Sequence, residues 1–159
     1  MTSRGLLRRD APSQPTNPVG LVTYARDMAE IRMAVVGAGS WGTTVASLAA
    51  ANTPTVLWAR RDSVVESINT NHVNPDYLSG VALSPQRRAT ASLSEAVSTA
   101  DVVVMAVPSQ GFRQVLTEAK SHIRPWVPIV SLAKGLEAGS MLRMSQVANE
   151  VMPGHPVAV

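Results

Sequence analysis

The chain has 159 residues, of which 45% are hydrophobic and 16% are charged, and its formal net charge is +3. This length and composition are typical of one globular domain, and the lack of long Lys or Arg runs argues against nucleic-acid binding. No cysteine is present, which excludes disulfides, thiolate metal sites and a cysteine nucleophile. The histidines match no metal-ligand spacing, and no apolar run approaches the ~20 residues that span a bilayer. We expect a cytoplasmic protein without membrane insertion or bound metal.

Residues 1–30 differ in composition from the rest of the chain. Prolines are interspersed there with Ser, Gln, Thr and Asn, a mixture that does not build a hydrophobic core. The first arginines are followed by Asp10 and prolines instead of the apolar stretch of a targeting peptide. We predict a disordered N-terminal extension, with Met28 and Met33 as alternative start residues.

From residue 31 onward, short apolar runs alternate with longer amphipathic segments. The predicted strands are 31–36, 55–59, 89–90, 102–107, 127–132 and 156–159. The predicted helices are 40–51, 62–70, 93–98, 109–123 and 140–152, and 71–88 is predicted to be irregular. Asp62 or Ser63 is the expected N-cap of the second helix. In the last helix, the core positions follow helical spacing: Met141, Met144, Val147, Ala148 and Val151.

Strands that alternate with helices pair in parallel through right-handed crossovers. The predicted fold class is therefore α/β, a doubly wound Rossmann-type parallel sheet with helices on both faces, formed by residues 31–159. The last strand begins near Pro156 and the sequence stops at Val159. We expect a domain that is incomplete at its C-terminal end.

The clearest functional pattern is a glycine loop between the first strand and the first helix. Gly37, Gly39 and Gly42 have the G-x-G-x-x-G spacing in the context that indicates dinucleotide binding. Gly37 permits the tight turn, Gly39 lets the backbone approach a pyrophosphate, and Gly42 lets the helix pack closely on the strand. The helix N-terminus then offers free N–H groups to phosphates. The alternative is a strand-to-helix turn without a ligand.

An arginine pair, Arg60 and Arg61, follows the second strand, where NAD-selective folds usually place an acidic residue. Guanidinium groups match the geometry of a 2′-phosphate. This favours NADP(H) over NAD(H) and leaves the use of both open. We expect no acidic residue here either to repel NADP or to anchor NAD. The alternative is a pair of solvated arginines.

Two further positions follow later strands. Pro108 lies at the carboxyl end of the strongest strand, where ligands bind in such sheets. Lys134 follows the next strand and is placed to attract a phosphate or polarise a carbonyl. A solvated surface lysine is the alternative.

Five motifs carry a family resemblance: Val36-Gly37-Ala38-Gly39-Ser40-Trp41-Gly42-Thr43, Leu57-Trp58-Ala59-Arg60-Arg61, Asn74-Pro75-Asp76-Tyr77-Leu78, Ala106-Val107-Pro108-Ser109-Gln110 and Ser131-Leu132-Ala133-Lys134-Gly135-Leu136-Glu137. With these motifs, residues 31–159 resemble the NAD(P)-dependent glycerol-3-phosphate dehydrogenases of the bacterial type. The Ser-Trp and Lys-Gly-Leu-Glu sequences argue against 3-hydroxyacyl and 6-phosphogluconate dehydrogenases.

The resemblance implies roles for individual residues. Ser40 and Trp41 contact the dinucleotide, and Arg60 and Arg61 bind the adenosine phosphate. Tyr77 lines the cofactor cleft. Lys134 contacts both the nicotinamide cofactor and a phosphorylated substrate. The family interconverts dihydroxyacetone phosphate and sn-glycerol 3-phosphate, the backbone of phospholipids.

The chain also departs from the family pattern. Family members continue past Val159 into a substrate-closing loop and an all-helical domain that carries a lysine as general acid. Without these we expect the chain alone to be inactive, with an exposed apolar docking face and a partly unpaired edge strand. A catalytically silent NAD(P)-binding module and a nonfunctional gene fragment remain as alternatives.

Overall fold

The computed structural model describes residues 30–159, so the predicted disorder of the N-terminal extension lies outside the described residues. Strands and helices alternate along this part of the chain. In chain order they are β1 (Met33–Val36), α1 (Ser40–Ala49), β2 (Thr55–Trp58), α2 (Asp62–Asn71), β3 (Arg88–Thr90), α3 (Leu93–Val97), β4 (Val102–Met105), α4 (Ser109–Ala119), β5 (Ile129–Ser131), α5 (Met144–Val151) and β6 (Val157–Ala158). A 3₁₀ turn, Lys120–His122, extends α4.

The six strands form one parallel sheet in the order β3-β2-β1-β4-β5-β6. The chain winds outward from β1 through β2 and β3, then returns to the other side of β1 and winds outward again through β4, β5 and β6. The strand order therefore reverses between β1 and β4. In open α/β sheets, ligands bind at such a switch point, beyond the carboxyl ends of the strands. This topology confirms the predicted doubly wound fold.

Each face of the sheet is covered by helices because successive strand side chains point to opposite faces. On one face, Val35, Leu57 and Val104 pack with the apolar residues of α1 and α2. On the other face, Val103 and Met105 pack with α3, α4 and α5, around the fully buried Phe112 and Leu116. Continuous apolar strands such as β4 are explained by this burial on both faces.

The structure corrects two predictions about helix ends. The N-cap of α2 is Arg61, which makes no side-chain cap, and not Asp62 or Ser63. Asp62 is instead the first helical residue, where its negative charge interacts favourably with the positive end of the helix dipole. The last helix starts at Met144, after the N-cap Arg143. Met141 precedes it with φ 58° and is 67% exposed, so it does not belong to the core.

None of the helices in residues 30–159 is long and apolar enough to cross a membrane. Five of the strands are shorter than predicted, whereas β3 begins one residue earlier than predicted, at Arg88. The apolar residues that flank the shortened strands still pack on the sheet, and the N–H of Leu132 continues the hydrogen bonding to the carbonyl oxygen of Met105 at 2.9 Å. Val127 and Leu132, for example, flank β5.

Candidate functional site

A cleft of about 580 Å³ opens at the carboxyl ends of the central strands. The register aligns these ends, since Val36 pairs with both Trp58 and Met105, and Met105 pairs with Ser131. The loops that leave β1, β2, β4 and β5 therefore meet at one edge of the sheet. The lining residues are Gly37, Ala38, Gly39, Ser40, Trp41, Trp58, Ala59, Arg60, Arg61, Val64, Asp76, Tyr77, Ala106, Val107, Pro108, Leu132, Ala133 and Lys134.

The glycine loop lies tightly against the end of β4. Gly37 has φ +117°, and a Cβ on it would lie 2.7 Å from the carbonyl oxygen of Ala106. A Cβ on Gly42 would lie 1.8 Å from the carbonyl oxygen of Gly37. At Gly39 an added Cβ meets nothing within 4 Å, so the backbone here borders open space. Two of the glycines thus serve close packing, and the third presents its backbone to the cleft.

The N-terminus of α1 faces the same space. Its N-cap is Gly39, no side chain caps it, and no acidic residue lies in its first turn. The first N–H groups of a helix have no partner within the helix, and the helix dipole adds a partial positive charge. Together with the open space at Gly39, this geometry fits a pyrophosphate group.

Asn74 ties the glycine loop to the segment that carries Tyr77. It is fully buried, and its Nδ2 donates to the carbonyl oxygen of Ala38 and to Oγ1 of Thr43, both at 2.8 Å. Its Oδ1 accepts the backbone N–H of Asp76 at 3.2 Å. Asn74 occurs in one of the resemblance motifs, but nothing local in the sequence indicates these contacts. It is a structural support of the cleft that sequence analysis does not identify.

The two arginines after β2 differ in their surroundings. The guanidinium of Arg61 donates to the carboxylate of Asp76. Arg60 is exposed and makes no side-chain hydrogen bond or ion pair within residues 30–159. Asp76 also lines the cleft. The sequence motif of the arginine pair does not indicate this acidic partner, which the loop after α2 brings back to the end of β2.

Lys134 lies on a loop that is fastened to α4. Gln110 accepts the backbone N–H of Ala138 at 3.1 Å, and its side-chain nitrogen lies 3.3 Å from the carbonyl oxygen of Leu136. Arg113 donates to both carboxylate oxygens of Glu137, at 2.8 and 2.9 Å. These contacts hold the loop, and Lys134 at its start is exposed on the cleft wall.

We expect the Glu137 anchor to weaken in acid. The hydrogen bonds from Arg113, and then from Ser140, lower the pKa of Glu137 from 4.5 to about 2. Because the pKa is lower in the folded chain, the stabilisation is complete above pH 4.5 and is lost as the pH falls towards 2. The thermal midpoint of the unmodified chain should exceed that of Glu137→Gln most at neutral pH, and the difference should shrink below pH 4.5. A difference independent of pH would contradict this assignment.

The structure brings nearly all the predicted cofactor residues together. Those that line the cleft are Gly37, Gly39, Ser40, Trp41, Arg60, Arg61, Tyr77, Pro108 and Lys134. Gly42 does not line it and lies under the loop, where it allows α1 to approach Gly37. Trp41 and Tyr77 expose 65% and 54% of their surface, respectively, as large apolar side chains beside the cleft.

Comparison with known proteins assigns this chain to a family. The family described as NAD-dependent glycerol-3-phosphate dehydrogenase N-terminus matches residues 32–159. The chain belongs to the glycerol-3-phosphate dehydrogenase family. The resemblance carried by the glycine, arginine and lysine motifs is thereby confirmed.

Relatives within this family are similar in sequence and in structure. The glycerol-3-phosphate dehydrogenase [NAD(P)+] of Mycobacterium avium is 54% identical over 136 residues, which are 85% of this chain and 40% of that relative. The crystal structure of glycerol-3-phosphate dehydrogenase from Coxiella burnetii has a TM-score of 0.74 at 29% identity, over 80% of this chain and 39% of that one. The yeast enzyme GPD1 gives 0.73 at 27% identity, over 81% and 41%. The chain thus spans about two fifths of the length of these relatives.

Proposed function

We propose that this chain is the NAD(P)H-binding part of an oxidoreductase that interconverts dihydroxyacetone phosphate and sn-glycerol 3-phosphate, with NADP(H) favoured over NAD(H). The observation that carries the proposal is the convergence of three features on one cleft. These are the open backbone at Gly39 with the uncapped N-terminus of α1, the exposed Arg60, and Lys134. The N-terminus of α1 would bind the pyrophosphate and Arg60 the adenosine phosphate. Lys134 would contact the nicotinamide and the substrate.

The adenosine end of the dinucleotide is assigned to the end of β2. Arg60 lines the cleft and has no competing ion pair within the described residues, so its guanidinium is available to a 2′-phosphate. Such charge-assisted pairs are stronger than neutral hydrogen bonds. This availability supports the preference for NADP(H).

The nicotinamide end is assigned to the loops after β4 and β5. Pro108 and Lys134 lie on the wall that these loops form. The bound cofactor supplies the hydride. The ammonium group of Lys134 attracts the phosphorylated substrate and stabilises negative charge at its carbonyl oxygen. We assign cofactor binding and orientation to this chain. Turnover is proposed for an enzyme that has the full length of the relatives.

The test is a titration of the 159-residue chain with NADPH and NADH, followed by nicotinamide fluorescence, with a parallel assay of NADPH oxidation by dihydroxyacetone phosphate. Arg60→Ala should raise the Kd for NADPH about tenfold or more, since a hydrogen bond to a charged group contributes ~1.5–3 kcal/mol. The Kd for NADH should change little, because that cofactor lacks the 2′-phosphate.

Lys120→Ala is the matched control, because it removes the same charge from an exposed side chain outside the cleft. It should leave both Kd values unchanged. A folded chain that binds neither cofactor would refute the proposal. Binding without oxidation of NADPH would assign cofactor binding to this chain and turnover to the longer enzyme, and turnover by this chain would overturn that division.

A further inference from the structure

We propose that Asp76 is a specificity-determining residue that lowers the preference of this cleft for a 2′-phosphorylated dinucleotide by holding Arg61. The inference rests on the proposed function and deepens it, because it concerns how the same site tells NADP(H) from NAD(H).

The placement of Asp76 is the first observation. Its carboxylate accepts a hydrogen bond from Arg61, and both residues line the cleft. The side chain of Asp76 is 33% exposed and that of Arg61 is 60% exposed, so both are within reach of a ligand. Asp76 therefore provides an acidic group beside the end of β2, although it comes from a separate loop.

The backbone that carries this carboxylate is also held in position. The backbone N–H of Asp76 donates to Asn74 Oδ1, and Asn74 is itself bonded to Ala38 in the glycine loop. The loop that carries Asp76 is closed by a second hydrogen bond, from Leu78 N–H to the carbonyl oxygen of Asn74 at 3.0 Å. The loop backbone thus keeps Asp76 beside Arg61 at the cleft.

Charge then decides which cofactor is affected. A phosphate monoester carries about −1.5 to −2 charges at neutral pH, so a 2′-phosphate competes with Asp76 for Arg61 and is repelled by the carboxylate. The 2′-hydroxyl of NAD is neutral, and it donates a hydrogen bond that a carboxylate readily accepts. Asp76 thus opposes the effect of Arg60 and brings the affinities for the two cofactors closer together.

The ion pair is not needed to hold the fold together. Exposed ion pairs contribute little to stability. The bond between the backbone N–H of Asp76 and Asn74 does not involve the Asp76 side chain. Asp76→Asn is therefore expected to keep the loop in place while removing the charge.

The experiment measures the Kd of NADPH and of NADH for the full chain and for Asp76→Asn. Asp76→Asn should lower the Kd for NADPH on the order of fivefold, as expected for release of a partly exposed charge pair, and should leave the Kd for NADH equal or higher. In an Arg61→Ala background the gain should be smaller, because the competition for Arg61 is gone. Glu66→Gln is the control, since Glu66 is an exposed carboxylate of α2 that does not line the cleft.

The outcomes separate this inference from the proposed function. If the folded, unmodified chain binds neither cofactor, the proposed function fails and the inference fails with it. If both cofactors bind and Asp76→Asn leaves the ratio of the two Kd values unchanged, or Glu66→Gln changes it equally, only the role of Asp76 is refuted. Circular dichroism checks the fold. Asp76→Ser serves as the second neutral variant, with the same expected shift and the same refuting result.

Discussion

Replacing Gly42 by alanine should lower the free energy of unfolding by about 3 kcal/mol and abolish dinucleotide binding with it. A Cβ at this position would lie 1.8 Å from the carbonyl oxygen of Gly37 and 3.0 Å from the Cβ of Ala106. The first contact is with backbone, which cannot move aside as a flexible side chain can. Helix α1 must therefore shift away from the sheet, and its N-terminus moves with it. Urea unfolding measures the loss of stability, and nicotinamide fluorescence measures the loss of binding.

Gly39→Ala is the matched control, three residues earlier in the same loop. Its added Cβ meets no protein atom within 4 Å, and its φ of −72° suits any residue. The free energy of unfolding should change by less than about 0.5 kcal/mol, while the methyl group occupies space assigned to the pyrophosphate and weakens binding about tenfold or more. If both variants lost the same stability, steric conflict at Gly42 would not be the cause. If Gly39→Ala bound NADPH normally, the pyrophosphate would have to lie elsewhere.

Asn74→Ala should be the second large effect, lowering the free energy of unfolding by about 2–4 kcal/mol. The substitution removes the two hydrogen bonds that Asn74 Nδ2 donates and the one that its Oδ1 accepts from the N–H of Asp76. Asn74 is fully buried. Ala38 and Thr43 then lose hydrogen-bond partners. Because the same side chain joins the glycine loop to the loop that carries Tyr77, affinity for both dinucleotides should fall together.

The control for this variant is Asn71→Ala at the exposed end of α2. It removes the same type of side chain from a solvated position, so the free energy of unfolding should change by less than about 0.5 kcal/mol. Urea unfolding of the two variants gives the comparison. Equal stability of Asn74→Ala and the unmodified chain would show that water replaces the lost contacts. If Asn74→Ala lowered the affinity for NADPH but not for NADH, Asn74 would contact the 2′-phosphate directly and would not act as a support of the cleft.

Local patterns suffice for the elements of the sheet and for most of the cleft. The apolar run around Val103 and Val104 predicts a strand buried on both faces, and the structure places it next to β1 in the centre. Helix ends are less accurate for a physical reason. Met141 fits the helical spacing of α5, but Gly139 with φ +88° and the turn bonded between Glu137 and Leu142 keep the chain irregular up to Arg143. The side chain of Glu137, at the start of this turn, is bonded to Arg113 of α4, 24 positions away, a contact that helical spacing does not indicate.

The sequence by itself determined the alternation of strands and helices, the glycine turn and the positions of Arg60 and Lys134 after their strands. Those features follow from side-chain periodicity and from local backbone requirements, which act between near neighbours. Only the tertiary structure decided the partners of the cleft residues. Asp76 reaches Arg61 across 15 positions, and Asn74 reaches Ala38 across 36. Contacts at such separations arise when loops that follow different elements pack at one edge of the sheet, and no local pattern specifies them.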